Sequence, residues 1–366
     1  MRITAKIILA VGTLLCCAAA PYTLLYTFTN GPGGETPSSP LVQGPSSLVY
    51  GTTSAGGATG QGTVYSLDLA TGVQTPLYAF TEAAGADALT LGPDGILYGA
   101  LQFGPEYGAI FSLDPATAAY SVLYAFKQAR IETDGFAPSA VAVDRDGTVY
   151  GQTQFGGAGS RGTVFELTKK GSLRVLLAFS NAGGAVPGPI TLIGDALYGV
   201  ICDKSGGTGS LYKIPTATGQ PQALLQFTGG AGGGCPVGAV VPAGHGVVDG
   251  IASTGGSHGL GLIYQMNEVT GAETVLFNFP AKLQSPPNAI LAPRGAVIYG
   301  VRTDPGGVFA FNTAKQTAKQ LGGMMGEQAL QSMLPLAGLL LEGRTLYGVT
   351  QIGGSFNVGT VVGLAK

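Results

Sequence analysis

Tryptophan is absent from the 366 residues, histidine occurs only twice, and charged residues make up 10% of the chain. With so few charges and a formal net charge of -2, the chain offers no basic footprint for nucleic acid or for an anionic membrane surface. Two scattered histidines with Cys202 and Cys235, the two cysteines outside the first twenty residues, cannot supply a four-ligand zinc site of the usual spacing, and Asp144-Arg145-Asp146-Gly147 lacks the third ligand and the distant Glu of a calcium loop. No metal and no cofactor is expected. Helical patterning is missing as well, so the Gly-rich segments have no following helix of the kind a phosphate cradle needs. The lack of Trp removes the commonest sugar-stacking side chain, which counts against a glycan ligand without excluding one.

The first twenty residues stand apart. Arg2 and Lys6 precede the apolar run Ile7 to Ala20, which is too short to span a bilayer and ends in small residues. It reads as a secretory signal peptide, residues 1–20, cut near Ala18 to Ala20. Leu15 before Cys16 does not suit a lipoprotein signal. Cleavage removes Cys16 and Cys17 and leaves Cys202 and Cys235 in an oxidising compartment.

What the chain has in excess is glycine, 62 residues, and the glycines are periodic. Tyr-Gly recurs at Tyr50, Tyr98, Tyr150, Tyr198, Tyr299 and Tyr347, with Asp249-Gly250 in the one vacant slot, at intervals of 48, 52, 48, 51, 50 and 48 residues. Seven copies at this period match propeller blades rather than helical solenoids. In the second unit, strands are expected at Ala88 to Leu91, Ile96 to Gln102, Ala109 to Leu113 and Val122 to Phe126, with a tight turn at Gly92-Pro93-Asp94-Gly95. Apolar runs such as Leu123-Tyr124-Ala125-Phe126 suggest strands buried on both faces. The glycine after Tyr implies close approach of a backbone or an aromatic ring.

The ends of the chain complete the argument. A lone fourth-strand motif, Leu24-Leu25-Tyr26-Thr27-Phe28, opens residues 21–366, and the last unit stops after its third strand at Val361-Val362-Gly363-Leu364. Joining them closes a ring and removes two exposed sheet edges. The expected fold is all-β: a single seven-bladed β-propeller of four-stranded antiparallel blades, with an N-terminal strand completing the last blade.

The stretch LYGTTSAGGATGQGTVYSLDLATG followed by LYAF, with its Tyr-Gly, its Gly-Gly before Gly-Thr-Val and its terminal Phe, resembles the GloVer (Gloeo/Verruco) tandem repeat of exported bacterial proteins. That resemblance implies an exported repeat protein, often with a C-terminal anchor, and brings no shared catalytic residues. The chain ends at Lys366 without an apolar tail, so a secreted or periplasmic protein is expected, with no membrane insertion of the mature chain.

Candidate sites gather in one register. Four residues beyond each Tyr-Gly tyrosine or Asp249 stand Ser54, Gln102, Gln154, Cys202, Ser253, Thr303 and Gln351, a polar or small ring near one rim. These side chains either bond their own loops or form a collar in which Gln102, Gln154 and Gln351, with His258 from a Gly-rich loop and apolar surface from Phe103, Phe155 and Phe356, hold a neutral ligand. Cys202 and Cys235 fall on the same rim, and their disulfide is geometrically reasonable. The leading expectation is a non-catalytic module binding a small neutral ligand, a glycan or a protein. The alternative is a lyase or lactonase type of propeller enzyme using His258 with Asp203 and Asp304, an analogy by fold. A structural role in an envelope matrix is a third reading.

Overall fold

The computed structural model describes residues 22–365 apart from 83–84, 181–184, 204–206, 282–286, 303–306 and 323–337. The helical pieces among the described residues are two 3-10 turns, Gln128–Arg130 and Gly230–Gly232. Everything else regular is strand, arranged in seven antiparallel sheets whose strands follow one another in sequence. The first blade spans 35–79, the second 86–125, the third 136–178, the fourth 185–227, the fifth 234–278 and the sixth 287–322. In the second blade the strands are Ala86–Leu91, Leu97–Leu101, Ala109–Leu113 and Tyr120–Ala125, close to the spans expected from the sequence.

Closure of the ring follows the expected route. Thr23–Thr27 pairs antiparallel with Thr360–Ala365, placing Thr23 opposite Gly363 and Thr27 opposite Thr360. The Phe28 N–H adds a bond to the Gly359 carbonyl at 3.1 Å. The seventh blade therefore takes its outer strand from one end of the chain and the other three from the opposite end.

First strands of neighbouring blades pack against one another and so lie nearest the axis. Second strands are buried on both faces; every residue of Leu97–Leu101 is buried. The fourth strands differ from expectation. Residues of Tyr120–Ala125 are half-buried or exposed, and only the Phe that follows is sealed, because blades diverge like the sectors of a fan and their outer strands lose contact with the neighbours.

The glycine of Tyr-Gly has a specific task. Opposite Gly51, Gly99, Gly151, Gly199 and Gly250 on the third strand stand Tyr65, Phe111, Phe165, Tyr212 and Tyr264, and a Cβ at any of these glycines would overlap the facing ring. Each ring thus lies across the second strand where a side chain would otherwise stand. Its edge meets the terminal Phe of the preceding blade, with centroid separations of 5.3 Å for Phe28–Tyr65, 5.7 Å for Phe80–Phe111, 5.6 Å for Phe126–Phe165, 6.0 Å for Phe179–Tyr212 and 4.9 Å for Phe227–Tyr264. These phenylalanines are at most 3% exposed. Burying each one contributes about 1.5–3 kcal/mol, and the ring pair about 0.5–1.5 kcal/mol more. The repeat spacing is in this sense a spacing of inter-blade contacts.

Candidate functional site on the glycine-rich rim

Loops joining second to third strands share one rim with the connections between blades; the hairpins share the other. The Gly-rich loops are short and tightly held. Gly56 bridges Gln61, Gly156 bridges Arg161 and Gly255 bridges Leu260. The N–H groups of Gly57, Gly157 and Gly256 then donate to the carbonyls of Gly31, Ile131 and Gly230 in the incoming connections. Gly56 and Gly57 need their φ values of 71° and 79° for this turn, a region in which a side chain is strained.

Beneath three of the loops lies a feature the sequence reading missed. Thr53 and Thr63, Thr153 and Thr163, and Thr350 and Thr360 bring their hydroxyls to 3.0, 3.0 and 2.8 Å, buried at the loop base. The first threonine of each pair also accepts the N–H of the second. A constant Thr-to-Thr spacing of ten residues was the available signal. These clasps make the bases of three loops a hydrogen-bonded platform.

On that platform the polar register divides. The Ser54 hydroxyl donates to the Thr36 carbonyl at 3.2 Å and Ser253 to the Cys235 carbonyl at 2.9 Å, so these two serve their own blades. Cys202 is joined to Cys235 in a disulfide with Cα atoms 4.3 Å apart, tying the fourth blade to the entry of the fifth. Gln102 and Gln154 are half-buried and Gln351 is exposed, and their amides have no hydrogen-bond partner among the described residues. Thr303 and Asp304 lie outside the described residues, as do residues 1–20 and the cleavage positions Ala18 to Ala20.

Rings accompany the free amides. Phe103, next to Gln102, is 57% exposed; Phe155, next to Gln154, is 48% exposed; and Phe356 is 56% exposed. Phe155 stacks on Phe136 at 5.3 Å, and Phe136 meets Tyr107 edge-on at 5.7 Å. Since Tyr107 belongs to the second blade and the other two to the third, the cluster bridges that seam. Phe103 covers Gly85, at whose position a Cβ would meet the ring at 2.7 Å.

Of the candidate acid and base residues, His258 and Asp203 make local contacts. His258 is exposed, and its Nδ1 hydrogen-bonds the neighbouring Ser257 hydroxyl at 2.9 Å. Asp203 accepts a bond from the Thr208 hydroxyl within its own hairpin at 3.3 Å. His245 is an exposed hairpin residue, and Asp144 caps its turn by accepting the N–H groups of Asp146 and Thr148, each at 2.9 Å. Burial raises three other carboxyls, Glu273 among them; two are pushed up to about 6, Asp87 on the inner strand of the second blade and Asp249, whose Oδ1 accepts the Gln265 amide at 2.8 Å.

Solved structures of similar shape include a catalytically inactive variant of virginiamycin B lyase from Staphylococcus aureus with quinupristin, at 16% identity over 94% of this chain and 98% of that one with a TM-score of 0.66. Oligogalacturonate lyase in complex with manganese follows at 13% identity, 87% and 86% coverage and TM-score 0.59. A putative 6-phosphogluconolactonase from Bacteroides uniformis gives 18% identity, 86% and 90% coverage and TM-score 0.57. At these identities the likeness is one of fold. No curated protein sequence matches the chain. A family model does match, over residues 10–133 and 88–309, and with seven blades built on a recurring Tyr-Gly, Gly-rich loop and terminal Phe, six in-register copies each of the dipeptide and the Phe, the chain belongs to the Gloeobacter/Verrucomicrobia repeat family.

Proposed function

We propose that the protein is an exported, non-catalytic binding module that takes a neutral ligand on its glycine-rich rim, centred on the second and third blades. One observation carries the reading. Exposed rings at Phe103 and Phe155 stand directly beside the unpartnered amides of Gln102 and Gln154, on loops held by backbone bonds. Apolar faces flanked by uncharged donors and acceptors suit an uncharged, hydroxyl-bearing ligand such as a carbohydrate. Gln351, Phe356 and His258 extend the same chemistry around the rim.

Export supports and is supported by this reading. The charged start and apolar run of residues 1–20 fit a signal peptide, a disulfide fits an oxidising compartment, and among the described residues no helix is long and apolar enough to cross a membrane. Residues 21–366 are then the mature propeller, secreted or periplasmic, which mass determination of the exported protein tests directly.

Binding of the mature chain to a panel of neutral oligosaccharides, measured by calorimetry, is the functional test. Phe103→Ala with Phe155→Ala is expected to lower affinity by about tenfold or more, the effect of losing roughly 1.4 kcal/mol. Capture of a protein partner with no glycan bound moves the reading to a protein ligand. Any turnover that disappears in His258→Ala replaces it with the enzyme reading.

A further inference from the structure

The opposite rim holds a second feature, independent of the reading above. At two seams there, between the second and third blades and between the fourth and fifth, the Tyr of Tyr-Gly in one blade stands beside the turn between third and fourth strands of the next. Between the fourth and fifth blades this space is filled: the Tyr198 hydroxyl donates to Glu268 Oε1 at 2.6 Å, and the Lys213 ammonium sits 2.6 Å from Glu268 Oε2. A turn carboxylate held by a phenol and an ammonium seals the seam.

Between the second and third blades the same positions carry different groups. Strand pairing places Lys169 where Glu268 stands and Ser112 where Lys213 stands. With no carboxylate arriving from the next blade, the Tyr98 hydroxyl turns back to Asp94 Oδ2 at 2.8 Å in its own hairpin. The Lys169 ammonium has no hydrogen-bond or ion-pair partner among the described residues, and its side chain lies over Gly147. What remains is a cavity of about 370 Å³, walled by Leu123, Val149 and Leu167, with Asp94, Tyr98 and Lys169 around it. Burial, followed by the Asp94 carboxylate, pushes the Tyr98 hydroxyl up to about 12, so it remains a donor at neutral pH.

We propose that this cavity binds a small zwitterion of the α-amino-acid type, its carboxylate on Lys169, its ammonium on Asp94 and its apolar side chain against Leu123, Val149 and Leu167. Three features support this chemistry. The volume falls within the range of small-molecule pockets, about 300–1,000 Å³. One cation and one anion at the cavity balance a zwitterion and disfavour ligands carrying a single charge. The protein itself places a carboxylate against a lysine ammonium at the equivalent seam.

The test is calorimetric titration of the mature chain with L-leucine, N-acetyl-L-leucine and L-leucinamide, the latter two each lacking one charge. Leucine is expected to bind, and each derivative about tenfold or more weakly, as loss of one charged hydrogen bond implies. Lys169→Met should abolish the preference for leucine over leucinamide, and Asp94→Asn the preference over N-acetyl-leucine, with unchanged melting temperatures showing that both variants fold. The proposal is overturned if leucine gives no heat up to about 10 mM, weaker than any useful site, or if it binds Lys169→Met as well as wild type. Neither result bears on the glycine-rich rim, whose residues lie at the other end of the blades.

Discussion

The seam between the fourth and fifth blades and the seam between the second and third are built from the same repeat, yet they are finished differently. The former is locked at both rims, by the Cys202–Cys235 disulfide at one and by Tyr198, Lys213 and Glu268 at the other. The latter carries exposed rings at one rim and a cavity at the other. Their interiors are alike, with Phe126 on Phe165 in one and Phe227 on Tyr264 in the other. The two seams thus share their interior contacts and differ in the finishing contacts at their rims.

The comparison can be broken most forcefully in the shared interior. Gly151→Val and Gly250→Val each place a branched side chain into the ring across the strand, and each should cost about 3 kcal/mol or more by overpacking, read as a fall in the urea midpoint. Similar losses in both variants would establish that the two seams share one core. A larger loss at Gly250 would show that Tyr264, whose buried hydroxyl has no partner, is already the more strained of the two rings.

Next in size is the staple. Replacing Cys202 and Cys235 by Ser together should cost about 2–4 kcal/mol through the freed loop, and reductant should reproduce the loss in wild type. No effect of reductant would mean the two seams differ less than their covalent structure implies.

A third change tests the neighbouring seam through pH. Asp249 is 1% exposed and burial raises its carboxyl to about 6 in the folded chain, above the unfolded value of about 3.9. Between those values the folded state holds the extra proton, so its contribution to stability is greatest below pH ~4 and declines as pH rises through ~6. Asp249→Asn should remove this decline, gaining about 3 kcal/mol over wild type at pH 7 and little at pH ~4. Chemical denaturation at the two pH values checks it.

Glu268→Gln is expected to act more modestly, about 1 kcal/mol, because Lys213 and Glu268 keep some solvent contact and the phenol bond can persist. Smallest of all, Phe103→Ala should leave the melting temperature within the scatter of surface substitutions, about 0.5 kcal/mol. If it destabilised the protein appreciably, the ring would be part of the fold rather than of a binding surface.

The sequence disclosed the ring because the contacts that build it recur at one spacing. Gly99 opposite Phe111 and Phe80 against Phe111 are the same pair of contacts in every unit that keeps them, so periodicity marked the glycine and the terminal Phe, while the ring each one meets came from the strand pairing. The closing strand was legible for the same reason, as a surplus Phe28 at one end and a missing strand at the other. The candidate sites were legible only in part. Ser54 and Ser253 proved to serve their own blades, while the seven-fold register hid that distinction by treating every copy alike. The stacking of Phe136 on Phe155 and the cavity beside Lys169 depend on how one blade departs from another across a seam. Such differences between copies have no spacing to betray them.

The strand Thr23–Thr27 also fixes an order of events. Its partner, Thr360–Ala365, is synthesised only after the six blades that separate them, so the two segments meet across nearly the full contour of the ring, the kind of non-local pairing that slows folding. For a chain that emerges amino end first, the leading strand waits unpaired until the trailing one arrives, and completion of the ring becomes a signal that every blade has been delivered. A product lacking either strand keeps two open sheet edges, the templates on which chains aggregate.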